Sequence, residues 1–377
     1  MPANDRLARC RSLRIATVFV LGTVLLALSG SGGSALAGEI QRDFTFDTDT
    51  LHLANLVGGI EVVSGNGSEF RVEVTIRGED AEEGLIEFLT DDGDETSLLV
   101  HFPIDKERKY VYPPMGRNSK STITFNDKSE SGGSWLKKVF GDWHGKKITV
   151  AGKGKGLEVW ADVRIEVPKG RSLAVRHGVG EIVASDVDGD LNLDINSGSI
   201  SAERITGDLL ADTGSGSVTV REQRGELHVD TGSGSVSVRD CDGGKVHVDT
   251  GSGAVDASAV VCNTLHIDTG SGSVTALRVE TDKATIDTGS GSVELQLDRM
   301  GAGRFLIDTG SGSIELTLPT DASARITADT GSGSVRNKIS GATVKKAERD
   351  EMHLIVGDGD ARVTLDAGSG SITIREK

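Results

Sequence analysis

Three histidines, His228, His247 and His266, each stand two residues before an aspartate, Asp230, Asp249 and Asp268, and the pairs recur every 19 residues. Residues two apart share one face of a strand, so the spacing sets an imidazole column beside a carboxylate column. That donor set suits Zn²⁺ or Cu²⁺, and the carboxylates alone, as hard oxygen ligands, suit Ca²⁺. Zn²⁺ or Ca²⁺ is therefore the ion these columns would take, and no organic cofactor is expected. The matching positions elsewhere hold Asn192, Leu210, Thr285, Leu306, Thr327 and Thr364, so stacking of equivalent residues would also produce the column without any ion. The aspartates belong to a motif, Asp-Thr-Gly-Ser-Gly, that occurs seven times, starting at Asp212, Asp230, Asp249, Asp268, Asp287, Asp308 and Asp329. Looser copies begin at Asp194 and Asp366.

Asp-Thr-Gly-Ser is also the signature around the catalytic carboxylates of aspartic proteases. Those enzymes need two copies facing across a cleft so that two carboxylates share one proton. Seven copies on one side of a repeat do not provide that, and no catalytic residue is assigned. A phosphate-loop reading fails as well, because Gly-Ser-Gly-Ser-Val has no following Lys-Ser/Thr and no helix to offer its N-terminus.

The steps between motifs are 18, 18, 19, 19, 19, 21, 21 and 37 residues. One motif per period of about 19 residues means one structural unit stacked on itself. In Leu227–Val238, Leu227, Val229 and Thr231 alternate onto one face, and Val236 and Val238 do so after the Gly-Ser-Gly corner. Two short strands and two corners per repeat predict an all-β fold, a parallel β-solenoid of single-stranded, right-handed β-helix type with about 19-residue turns. The last step of 37 residues reads as two ordinary turns. Stacked turns bring neighbouring aspartates about 4.8 Å apart, a repulsion of about 0.9 kcal/mol per pair even at the dielectric of water. Local amides of the Gly-Ser corner, in an Asx-type turn, are the simplest source of compensation.

Residues 1–37 read as a signal peptide. Arg6, Arg9, Arg11 and Arg14 precede the apolar run Ile15–Leu28, and Ala35-Leu36-Ala37 offers a small-x-small cleavage site. Its removal takes four Arg and one Asp and moves the net charge from −16 to −19. So acidic a chain is not expected to bind nucleic acid. It is expected to be exported, periplasmic or extracellular, at the cell surface. Cys241 and Cys262 remain, in the connecting loops of successive repeats, and could form a disulfide in an oxidising compartment.

The remainder divides into 38–104, read as N-terminal strands of the solenoid, 105–157, and 158–377, the repeats proper. From residue 161 onward Phe305 is the one aromatic residue of the Phe, Tyr and Trp class, which suits thin stacked turns better than a globular core. The 105–157 segment holds twelve Lys or Arg against five Asp or Glu, a basic and irregular insertion. Within it, Trp135, Leu136, Val139, Phe140 and Trp143 fall on one face of a helix expected over 134–144. Lys137, Lys138, Lys146 and Lys147 surround that face. Such a helix would cap an open end of the stack, or lie in a membrane interface or on an anionic polymer through Trp135, Lys137, Lys138, Phe140, Trp143, Lys146 and Lys147.

The tandem Asp-Thr-Gly-Ser-Gly-Ser-Val repeats resemble the bacterial toast-rack, or adhesin-like, β-strand repeat family. So do Ile165-Glu166-Val167-Pro168-Lys169-Gly170 before Leu173-Ala174-Val175, the segment Leu53–Val62, and the closing Val356-Gly357-Asp358-Gly359-Asp360-Ala361. The resemblance covers about 44–104 and 158–377 and transfers no catalytic residues. It implies a secreted or membrane-attached β-solenoid of the cell envelope that works as a non-enzymatic adhesin-like binding or structural module, with links to envelope stress. Its partner would be a lipid, glycan or protein of that surface. The alternatives are a polysaccharide-active β-helix enzyme, which the scarcity of aromatic sugar platforms disfavours, and a metal-binding repeat array.

Overall fold

The computed structural model describes residues 39–92, 95–124 and 145–377. The signal-peptide segment 1–37 and the helix expected over 134–144 lie outside the described residues. What is described is all-β and mostly parallel. Along each repeat the alternation sets one face inward: Leu227, Val229 and Thr231 are buried and His228 and Asp230 face outward. The registers stack like on like. Leu173, Leu191, Leu209, Leu227, Val246, Leu265, Ala284 and Phe305 lie side by side in successive strands, so one Leu-rich apolar column fills the interior.

Stacking also explains the Gly-Ser-Gly corner. Gly216 sits at φ +149°, and a Cβ there would come within 2.0 Å of the Gly198 carbonyl oxygen of the preceding turn. Only glycine lets two backbones approach so closely. The threonine of each motif locks the same contact. Thr213, Thr231, Thr250, Thr269, Thr288, Thr309 and Thr330 are buried, and each hydroxyl donates to the second corner glycine's carbonyl of the neighbouring turn at 2.6–3.2 Å.

Six successive turns bend a third time, at a place the two-corner reading of the repeat does not contain. Asp186, Arg204, Glu222, Asp240, Ala259 and Arg278 occupy equivalent positions with φ between 52° and 61°, a left-handed conformation that costs an L-residue about 1–2 kcal/mol. The residue that follows each one is driven into the interior: Val187, Ile205, Gln223, Cys241, Val260 and Val279 are all buried.

The parallel stack begins at Thr50–Gly65, which pairs with Ser172–Ser185. Its outer side is met in parallel by Thr96–His101 and Trp160–Pro168. Antiparallel strands then close that end: Glu87–Asp92 on Thr96–His101, Phe70–Arg77 on Trp160–Pro168, and Ile40–Phe46 on Phe70–Arg77. The described residues of the 105–157 segment are less irregular than its composition indicates. Lys109–Val111, Lys147–Ala151 and Lys120–Thr124 form a small sheet, whose Tyr110 meets Phe102 edge-on at 5.6 Å and whose neighbour Tyr112 meets Trp160 at 5.7 Å.

The other end departs from sequence order. Arg304–Thr309 pairs with Ala361–Ala367, and Ala361–Ala367 pairs in turn with Ala324–Thr330. The last repeat is thus inserted between the two before it. The 37-residue step is one parallel turn plus an antiparallel hairpin, Thr343–Ala347 and Glu351–Val356, which covers the outer side of Ala324–Thr330.

Candidate functional site: the acidic face

Because equivalent residues stack, the outward positions become columns. Asp194, Asp212, Asp230, Asp249, Asp268, Asp287, Asp308, Asp366 and Asp329 follow one another across the strands in that order. Arg176 occupies the same column one turn before Asp194 and forms an ion pair with it. Glu351 holds the far end, paired with Lys346 and with His353. Among the described residues Asp194 is the one aspartate of this column in an ion pair.

The corner amides do not compensate the rest, contrary to the Asx-turn expectation. The first glycine of each corner donates instead to the main-chain carbonyl of the preceding turn's threonine, as Gly232 does to Thr213 and Gly251 to Thr231, both at 3.0 Å. Burial and the neighbouring Asp230 push the Asp212 carboxyl up, against the pull of Arg176 and His228. Burial together with Asp287 and Asp366 does the same to Asp308.

Two residues back along each strand, the structure brings the three histidines into a stack. His228 and His247 lie 4.5 Å apart between ring centroids with planes 11° apart, and His247 and His266 lie 4.5 Å apart at 20°. Burial, the two flanking rings and Lys245 push the central His247 down to about 4. The rings lie face on face, each two residues from Asp230, Asp249 or Asp268. Among the described residues no three of His, Cys, Asp and Glu converge where one ion could sit.

Two residues further back runs a second charged column, Asp190, Asp208, Glu226 and Lys245. A groove of about 450 Å³ opens between it and the column of His52, Ala174, Asn192, Leu210, His228 and His247. Ala174 and Asn192 are short, which hollows the surface there. Asp190 and Asp208 each give one carboxylate oxygen to the amide of the next turn, at 2.9 Å from Asp208 and 2.8 Å from Glu226. Asn192 Oδ1 is buried with no hydrogen-bond partner, and Leu210 is 37% exposed. The groove is rich in acceptors and net acidic, and it would receive a group that brings hydrogen-bond donors and positive charge.

Sequence reasoning found the Asp and His columns and missed the groove. The available signal was spacing: Asp190, Asp208, Glu226 and Lys245 each stand four residues before an aspartate of the ladder, hence on the same strand face. Cys241 and Cys262 are buried free thiols, and the register sets them opposite Val260 and Gly243 rather than opposite each other. Of the basic aromatic segment, Trp135, Lys137, Lys138, Phe140 and Trp143 lie outside the described residues, Lys146 is ion-paired with Asp105, and Lys147 is exposed.

Among the described residues no helix is long and apolar enough to cross a membrane. None of the curated proteins compared matches the chain. Solved structures resemble it, among them three of low identity. One is a candidate adhesin from Bacteroides fragilis, 13% identical over 90% of this chain and 97% of its own, with a TM-score of 0.37. Another is a candidate lipid-binding protein from Parabacteroides distasonis, 11% identical over 92% and 98%, with a TM-score of 0.40. The third is a candidate cell adhesion protein from Clostridium sporogenes, 11% identical over 89% and 100%, with a TM-score of 0.16. The family model for the Toastrack DUF4097 domain matches residues 161–375, more than half of the chain. With the stacked repeats just described, that match makes this chain a member of the Toastrack DUF4097 family.

Proposed function

We propose that this protein is an exported, non-enzymatic, adhesin-like binding module of the bacterial cell envelope, a right-handed β-solenoid with turns of about 19 residues that acts in the envelope's response to stress. Its groove takes an amine-bearing, hydroxyl-rich group on a surface polymer or partner. The observation that carries this reading is the groove between Asp190, Asp208 and Glu226 and the Asn192–Leu210–His228 column. Its free acceptors are arranged in a row at the strand spacing of about 4.8 Å, with an unpartnered amide oxygen at Asn192. A charge-assisted hydrogen bond to such a row is worth about 1.5–3 kcal/mol, enough for selection by charge.

Calorimetric titration with a chitosan oligomer, and with its fully N-acetylated counterpart, tests this directly. The amine-bearing oligomer should bind, and the acetylated one about tenfold more weakly or worse, a difference of about 1.4 kcal/mol. Asp208→Asn with Glu226→Gln should weaken binding by a similar factor, while Asp287→Asn, on the same face but outside the groove, should leave it unchanged. Asn at 208 still offers an oxygen to the Glu226 amide, so the fold is spared. Equal binding of both oligomers, or equal loss from the Asp287 change, would defeat the reading.

The basic aromatic segment 134–147 supplies a second contact, to lipid or an anionic polymer. Co-sedimentation with anionic vesicles that disappears when 134–147 is deleted supports it. Absence of binding by either form overturns it.

A further inference from the structure

The inverted order of the last repeats leaves a slot with two walls. Arg304–Leu318 forms one wall and Ala324–Lys338 the other, and the connection Pro319–Ser323 steps over the level between them. Residues 361–376 fill that level. Their interior side chains Ala361, Val363, Leu365, Ala367, Ile372 and Ile374 are buried. Hydrogen bonds run to both walls: Gly368 N donates to Thr309 O at 2.9 Å, Ile314 N to Ser371 O at 3.0 Å, Gly331 N to Ala367 O at 3.1 Å, and Ile372 N to Ser334 O at 3.0 Å. Outside the slot, Arg375 pairs with Glu315 and Lys377 with Asp298, at 2.7 and 2.9 Å. With the repeat withdrawn, two strand edges and an apolar channel would face water, which is a template for pairing with another chain.

The covalent link from the repeat back to the hairpin strand Glu351–Val356, on the outer side of the Ala324–Lys338 wall, is residues 357–360. Ala324 is paired with Val356 on one side of its strand and with Ala361 on the other. The four-residue hinge therefore crosses two strand spacings, about 10 Å. It contains Gly357 at φ +58° and Gly359 at φ +77°, so it can straighten without steric conflict.

We propose that residues 361–377 are an exchangeable repeat, and that two copies of this chain assemble by each filling the slot of the other. The exchange conserves every contact of the slot, because a second copy brings the same residues in the same register, and what changes is the path of the hinge. A reciprocal dimer also carries two acidic grooves, and so offers a divalent binding surface.

The test uses the full chain and the outward register pair Leu306 and Thr364, neighbours in adjacent parallel strands at a spacing that a disulfide can bridge. The double variant Leu306→Cys/Thr364→Cys should close within one molecule on oxidation of dilute protein. Chains carrying Leu306→Cys alone are then mixed in denaturant with chains carrying Thr364→Cys alone. The mixture is refolded near the millimolar effective concentration of a short linker and oxidised. The expected result is a cross-linked dimer whose peptide map joins positions 306 and 364. Unsubstituted chain, treated alike, reports any link through native thiols. If the double variant closes and the mixture stays monomeric, exchange does not occur. If the double variant does not close, the inserted order is wrong and the proposal falls with it.

Discussion

Arg176 occupies the column position that is aspartate in the next nine strands, and its guanidinium is ion-paired with the first of them, Asp194. The two side chains are 17% and 21% exposed. Burial pulls the Arg176 guanidinium down and the Asp212 carboxylate draws it back up. A ladder of like charge is thus anchored at one end by a single cation that is neither fully solvated nor fully enclosed.

Arg176→Met should therefore destabilise the fold by about 2 kcal/mol, between the small value of an exposed pair and the 3–5 kcal/mol of a broken buried one. Arg176→Lys should recover part of this, since Lys keeps the charge without the planar fork. Chemical denaturation at pH 7 measures both. Equal stability of all three proteins would mean that the ladder needs no anchor.

The period of the motif made the Asp and His columns legible in the sequence, because equal spacing forces equal positions in a parallel stack. The order of the last repeats was not legible. Asp308, Asp329 and Asp366 open near-identical motifs, so each can stack on either of the others, and spacing cannot tell the inserted order from the sequential one. The third bend left no mark either: Asp186, Arg204, Glu222, Asp240, Ala259 and Arg278 share a backbone conformation and no side-chain type. The groove was hidden for a different reason. It depends on small residues, Ala174 and Asn192, lying between charged neighbours that only stacking brings together.

Asp212 and Asp308 are held above the ordinary carboxyl value of 3.8, first by burial and then by their aspartate neighbours. A carboxyl raised on folding binds its proton more tightly in the native state. Stability then falls as pH rises from 3.8 through the native value and stays lowered above it. Asp212→Asn and Asp308→Asn should each raise the midpoint of unfolding at pH 7, with the gain fading toward pH 3. A loss at pH 7 would show that these carboxylates are compensated by something other than their stacked neighbours.

His247 titrates in the opposite sense. Its value is pushed down to about 4 by burial and by the rings of His228 and His266. The unfolded chain takes up this proton near 6.5 and the native one does not, so the contribution is complete above 6.5 and is lost as pH falls toward 4. Proton NMR should find the His247 ring still neutral at pH 5. Replacing both neighbours, with His228→Asn and His266→Asn, should move its midpoint upward. A midpoint near 6.5 in the unsubstituted protein would mean that the rings are not stacked in solution.

The corner glycines give the most local prediction. A Cβ on Gly253 would lie 2.0 Å from the Gly234 carbonyl oxygen and 2.5 Å from its carbon. Both atoms are backbone of a turn held by parallel pairing on either side, so neither can retreat. Gly253→Ala should cost about 3 kcal/mol or more, at the upper end of overpacking. Thr250, whose hydroxyl donates to that same carbonyl at 3.2 Å, should cost about 1 kcal/mol as Thr250→Val, the worth of one hydrogen bond with the shape retained. Ser252, exposed between the two glycines, should change stability by less than about 0.5 kcal/mol as Ser252→Ala. Urea denaturation of the three variants checks the ranking. If Gly253→Ala is as mild as Ser252→Ala, the turns lie further apart than the register requires, and the close approach of stacked corners is not what selects glycine there.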